Sequence, residues 1–251
     1  MKISIKNYLY TKGISGDIIL YRDNQHKKKE MCEFLAQKIK TSKKICCSSK
    51  GAFGLYLAKA FSSNAVIICS NSITSEYADQ IKSLPNTVID GSSKSVNMTE
   101  YANLHGFLHV NQFAEPYIKH YYKQHFTNLL SEVGTVDAFV DCGHTCATLA
   151  GAIESGANLE FVLGVNNPSA NRKNLHFLAD HQGKFKQETT CNFDTALLQI
   201  EIEAMYPSFG NIFEATRSIS AAMSWLQKNP NKTVLVYVGD SPVLGQDVSI
   251  N

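Results

Sequence analysis

Short apolar runs rich in β-branched residues recur along the chain, and most are followed by a segment with helical spacing. Ile18-Ile19-Leu20-Tyr21 leads into Met31, Phe34, Leu35 and Ile39, whose offsets line one helix face. Ile45-Cys46-Cys47 precedes a helical stretch from Leu55 to Phe61, and Ala65 to Cys69 is the next run. Thr87-Val88-Ile89 continues the alternation. A helix through Tyr117, Tyr121 and Leu129 then precedes a strand from Val136 to Val140, a helix beginning near Leu149, and a strand from Phe161 to Val165. Ser218 to Leu226 reads as a helix stopped ahead of Asn229-Pro230, and Val234 to Val238 as the last strand. Apolar strands alternating with helices predict an α/β fold: two lobes with open, mainly parallel sheets flanked by helices and an active-site cleft between them, with functional loops at strand ends.

Composition narrows the function class. The 251 residues are 44% hydrophobic and 18% charged, with a formal net charge of +2, which argues against an electrostatic nucleic-acid binder. No apolar run approaches the roughly 20 residues that span a bilayer. The opening MKISIKNYLY lacks the apolar core and cleavage site of a signal peptide. The expectation is a cytoplasmic protein with neither nucleic acid nor membrane as partner. Seven cysteines, an odd number thinly spread, suit reduced thiols better than a disulfide framework.

Three strand-to-helix turns hold the unusual residues: QHKKKE at 25–30, SSKGAFG at 48–54 and CGHTCAT at 142–148. Such turns offer free backbone N–H groups to an anion. Each also has a plainer reading, as a solvated helix start, a helix cap with a tight glycine turn, and a pair of buried small thiols. Cys142, His144 and Cys146 are soft ligand types, but no second Cys/His pair follows at zinc spacing, so no metal is expected. Nucleophile elbow, P-loop, HExxH and GxGxxG are all absent. The histidines stand singly and read as surface or core-edge residues.

In their order along the chain, these segments resemble the pyridoxal-phosphate enzymes of the tryptophan synthase β family, which includes cysteine synthase, cystathionine β-synthase and threonine deaminase. The clearest stretch is NQFAEPYIKHYYKQHFTNLLSEVGTVDAFVDCGHTCATLAG at 111–151. It resembles the family's Q-F-x-N-P run, helix, V-D-A-F-V strand, phosphate loop and following helix. SSKGAFGLYLA resembles the S-G-N-x-G loop, FVLGVNNPSAN the V-G-V-E-P segment, NIFEATRSISAAM the serine- or threonine-bearing helix start, and VLVYVGDSP the final strand.

The resemblance implies a role for each matched residue. The Schiff-base lysine is Lys27 or Lys28, with Lys27 preferred because Lys29 then takes the family's arginine position. Ser49, Lys50, Gly51 and Gln112 would bind the substrate carboxylate. Ala52 stands where the family's asparagine contacts the cofactor. His144, Thr145, Cys146, Ala147 and Thr148 take the place of the G-T-G-G-T phosphate loop, keeping both threonines and none of the glycines. Thr216, or else Ser218, would hydrogen-bond the pyridine nitrogen. The matching lobes are residues 1–115, with the lysine turn and carboxylate loop, and 116–251, with the phosphate loop, allowing the N-terminal strands to cross between them. The implied cofactor is pyridoxal 5'-phosphate, and the implied assembly a homodimer acting on a small amino acid by β-elimination or β-replacement. The lost glycines and Ala52 leave a second reading open: a pseudoenzyme of the same fold with lost or weakened cofactor binding, acting as a binding or regulatory protein.

Overall fold

The computed structural model describes residues 1–22, 27–49, 51–69, 73, 75–91, 97–142, 146–164, 176–188 and 193–238. Lys50, His144 and Thr145 lie outside the described residues. The chain divides into two units, one formed by Met1–Asn24 with Tyr122–Asn251 and the other by Gln25–Tyr121.

The discontinuous unit begins with β1 (Lys2–Ser4), α1 (Lys6–Thr11) and β2 (Gly16–Tyr21). The inserted unit follows, with α2 (Lys27–Lys38), β3 (Ile45–Ser48), α3 (Ala52–Ala60), β4 (Val66–Cys69), α4 (Ser75–Lys82), β5 (Thr87–Asp90), α5 (Met98–His105) and β6 (Leu108–His109). Helix α6 (Pro116–Val133) runs through the second boundary. The first unit then resumes with β7 (Ala138–Asp141), α7 (Ala147–Glu154), β8 (Glu160–Gly164), β9 (Lys186–Glu188), α8 (Thr195–Met205), α9 (Thr216–Lys228) and β10 (Lys232–Tyr237).

The unit boundaries fall at 24/25 and 121/122, beside an expected boundary near 115/116 with the N-terminal strands crossing over. The first 24 residues belong with the later part because β2 finds its parallel partner there: β10 lies along it from Lys232↔Gly16 to Tyr237↔Tyr21. β1 closes that edge as the antiparallel strand. The second crossing falls inside α6, where the sequence shows no turn residue to mark it.

The sheet of the discontinuous unit has the order β1-β2-β10-β7-β8-β9. One face carries Ile18, Leu20, Ala138, Val140, Val162, Val234 and Val236, which pack with Leu9 of α1, Leu198 and Ile202 of α8, and Ile219, Met223 and Leu226 of α9. On the other face Phe139 and Phe161 meet Phe126 of α6, at ring separations of 4.8 and 6.5 Å. Burial on both faces explains why these strands read as continuous apolar runs. Helix α9 is buried on nearly every side, which small residues such as Ser220, Ala221 and Ala222 permit, and Asn229 caps its end through Nδ2 on the Trp225 carbonyl at 2.9 Å.

The inserted unit has a four-stranded parallel sheet in the order β5-β4-β3-β6. In both units the parallel strands end along one edge, where the strand-to-helix turns begin. Helices that lead out of those turns therefore start beside the strand ends, the usual location of ligands in open α/β sheets.

Candidate functional site

The lysine run is sorted by helix geometry. The buried residues of α2 are Lys27, Met31, Cys32 and Leu35, so Lys27 sits one turn ahead of Met31 on the same face. Its relative exposure is 7%, whereas Lys28 and Lys29 are exposed. Lys29 lies 4.0 Å from Glu33 on the outer face. Of the two lysines open to the imine role, only Lys27 is held inside.

The β3–α3 turn is organised by Ser49. Its buried Oγ accepts from the N–H groups of Gly51 at 3.1 Å and Gly54 at 2.9 Å, satisfying two donors that a helix start leaves open. The hydroxyl expected to meet a substrate carboxylate is thus spent inside the loop. The N–H groups of Ala52 and Phe53 make no hydrogen bond among the described residues, so they are the open donors of this first turn. Gln112 comes to the same place: its Nε2 donates to the Ser48 carbonyl at 3.0 Å. Ser49, Gly51, Ala52 and Gln112 therefore gather at one turn within the inserted unit.

In the other unit the β7–α7 turn ends on Cys146, which has φ 55° and ψ 12°. That left-handed conformation is one a glycine takes at little cost. Burial pushes the Cys146 thiol up to about 12, with Asp141 adding a smaller push in the same direction, which favours the neutral thiol over the reactive thiolate. Ala147 is fully buried, and the Thr148 hydroxyl, half-buried, makes no hydrogen bond to a described residue. Cys142 is held against Gly164, where a Cβ would overlap its Sγ and come within 2.7 Å of Ala221 Cβ.

The two hydroxyls at the start of α9 differ in polarity. Thr216 Oγ1 donates to the Phe213 carbonyl at 2.9 Å, so it has only lone pairs left to offer. Ser218 Oγ instead accepts from the Cys142 N–H at 3.1 Å, and its proton is engaged by no described residue. Ser218 is therefore the hydroxyl able to donate beside the β7–α7 turn, a distinction carried entirely by the partner each one finds.

No protein-family model matches the sequence, and no curated protein matches it at sequence level. Solved structures do match. A cysteine synthase from Entamoeba histolytica aligns with a TM-score of 0.73 over 96% of this chain and 84% of its own, at 14% identity. The fold is that of the fold-type II pyridoxal-phosphate enzymes. Threonine deaminase isoform 2 from Solanum lycopersicum aligns at 0.68 over 98% and 84% with 13% identity. A pyridoxal 5'-phosphate-dependent aspartate racemase aligns at 0.72 over 97% and 90% with 11% identity.

Two features have no signal in the sequence. Thr216 and Ser218 differ in hydrogen-bond polarity through the Phe213 carbonyl and the Cys142 N–H that they meet. Tyr77 of α4 packs against Gly51 of the β3–α3 turn, and nothing in the stretch Ser75-Glu76-Tyr77-Ala78 signals that contact.

Proposed function

We propose that this protein binds pyridoxal 5'-phosphate through Lys27 and catalyses β-elimination or β-replacement on a small amino acid, as a cytoplasmic homodimer. The observation that carries the reading is the burial of Lys27 at the first position of α2, in a chain with this fold. A helix start and a buried setting are conditions that favour a neutral, nucleophilic amine. The residues present fit the cofactor at three further points. The Ser218 proton is available for a pyridine nitrogen, the backbone at Cys146 keeps a glycine-like shape, and the Thr148 hydroxyl is open to a phosphate oxygen.

When bound, the cofactor supplies an electron sink for bond breaking at the amino acid's α-carbon. Lys27 Nζ would hold it and serve as the base for the α-proton. Ser218 Oγ, oriented by the Cys142 N–H, would donate to the ring nitrogen and leave it unprotonated, which suits loss of a β-substituent. The N–H groups of Ala52 and Phe53, with Gln112, would hold the substrate carboxylate.

The test is to add the cofactor, record the visible spectrum, reduce with borohydride and map the modified peptide. A visible band with labelling confined to Lys27 supports the reading. No band, with label scattered over exposed lysines, refutes it. Ala52 and the glycine-free stretch at Cys146 and Ala147 favour a second reading, a pseudoenzyme that keeps the fold as a binding or regulatory protein, and that result would leave it standing.

A further inference from the structure

Both glycines of the β3–α3 turn are pressed by a neighbour. A Cβ on Gly54 would lie 2.9 Å from Ile68 Cδ1 and 3.2 Å from Ser49 Cβ. One on Gly51 would overlap the Tyr77 ring, with Cγ at 2.9 Å and Cε2 at 3.1 Å. Ile68 belongs to β4 and Tyr77 to α4, so the turn is bounded by a strand side chain at one glycine and by an aromatic ring at the other. Ser49 Oγ already holds the Gly51 and Gly54 N–H groups, and the open donors are those of Ala52 and Phe53. The Ala52 N–H lies in the peptide plane that begins at Gly51 Cα. Its carbonyl accepts from the Leu55 N–H at 3.0 Å, which ties one side of the plane to α3, but a glycine Cα on the other side would still let the turn shift. A ring in contact with its Cα does not.

We propose that Tyr77 is a positioning residue for carboxylate binding: its ring braces Gly51 and so holds the Ala52 and Phe53 N–H groups as a pair for the single carboxylate of a small amino acid. The inference rests on reading this turn as the carboxylate loop. The brace is steric and is carried by the ring. It also explains why position 51 must be glycine, since any side chain there would occupy the space of the ring.

Two measurements on the full-length protein test this. In thermal unfolding, Gly51→Ala lowers the melting temperature by several degrees in the wild-type background, and by much less when Tyr77→Ala has opened the space; equal losses in both backgrounds would overturn the brace. In amide NMR, L-serine shifts the Ala52 and Phe53 resonances, with or without added pyridoxal phosphate. Its apparent Kd weakens about tenfold in Tyr77→Ala and stays within about twofold in Tyr77→Phe. Wild-type amides that do not respond, or a Phe variant as weak as the Ala variant, would refute the positioning role. Failure of the cofactor reading looks different: no visible band on adding pyridoxal phosphate, while the Gly51–Tyr77 coupling and the L-serine shifts persist.

Discussion

The β3–α3 and β7–α7 turns occupy equivalent places, each leading from a parallel strand into a helix start, yet they reach their shapes by opposite routes. The first keeps its glycines because neighbours leave no room for side chains: Tyr77 lies on Gly51 and Ile68 on Gly54. In the second, cysteine and not glycine stands at the left-handed position: Cys146 has φ 55°. There the thiol is buried, with 2% exposure, and its packing offsets a backbone cost of roughly 1–2 kcal/mol. A position that needs glycine for space tolerates no replacement. One that needs it only for conformation tolerates a small residue that packs well.

The largest expected effect separates the lysines. Lys27→Ala abolishes borohydride-trapped cofactor, while Lys28→Ala retains it, as measured by mass spectrometry after reduction; equal loss in both would remove the distinction drawn from burial. Next comes the internal brace of the first turn. Ser49→Ala leaves the Gly51 and Gly54 N–H groups without their acceptor, so denaturant unfolding should show a loss of about 2–4 kcal/mol, with no counterpart in the second turn, where Cys146 makes no side-chain cap. A loss below 1 kcal/mol would mean that water replaces the serine.

A smaller effect is expected at the start of α9. Ser218→Ala should weaken cofactor binding about tenfold, the value of one lost hydrogen bond, and Thr216→Ala by less; absorbance titration decides, and the reverse order would restore Thr216 to the role. The smallest effect probes the second turn directly. Cys146→Gly should change stability at neutral pH by less than about 1 kcal/mol, because relief of backbone strain and loss of buried packing nearly cancel.

That last variant should also alter the pH profile. The Cys146 thiol rises from 9.0 to about 12 on burial, so the unfolded chain gives up this proton first as the pH climbs. The stabilisation is fully present below pH 9 and is lost as the pH rises toward 12. Between pH 8 and 10 the wild type should therefore lose about 1 kcal/mol more than Cys146→Gly. Parallel denaturation profiles would show that the thiol does not titrate on unfolding.

Most of the elements flanking these turns were legible in advance. The apolar runs at 18–21, 45–47, 65–69, 161–165 and 234–238 all became strands in whole or in large part, since burial on both faces writes itself as unbroken hydrophobicity. Less legible were β1, β6 and β9, each of two or three residues, too short for a period to register. Helix α8 is also hard to read from the sequence. Its Leu197 and Ile200 face solvent alongside the buried Leu198 and Ile202, which blurs the amphipathic stripe.

By itself, the sequence determined the alternation of strands and helices, the order of the three turns and the candidate residues within them, because these depend on local periodicity and residue type. Tertiary structure alone decided how adjacent candidate residues differ in burial and in hydrogen-bond partner. Lys27 turns inward by its phase on α2. Ser49 is committed to its own loop, and Ser218 accepts from a residue 76 positions away. Gly51 is held by Tyr77 from a different helix. Each choice turns on a contact between segments distant in the chain, and such contacts leave no periodicity in the sequence from which they could be read.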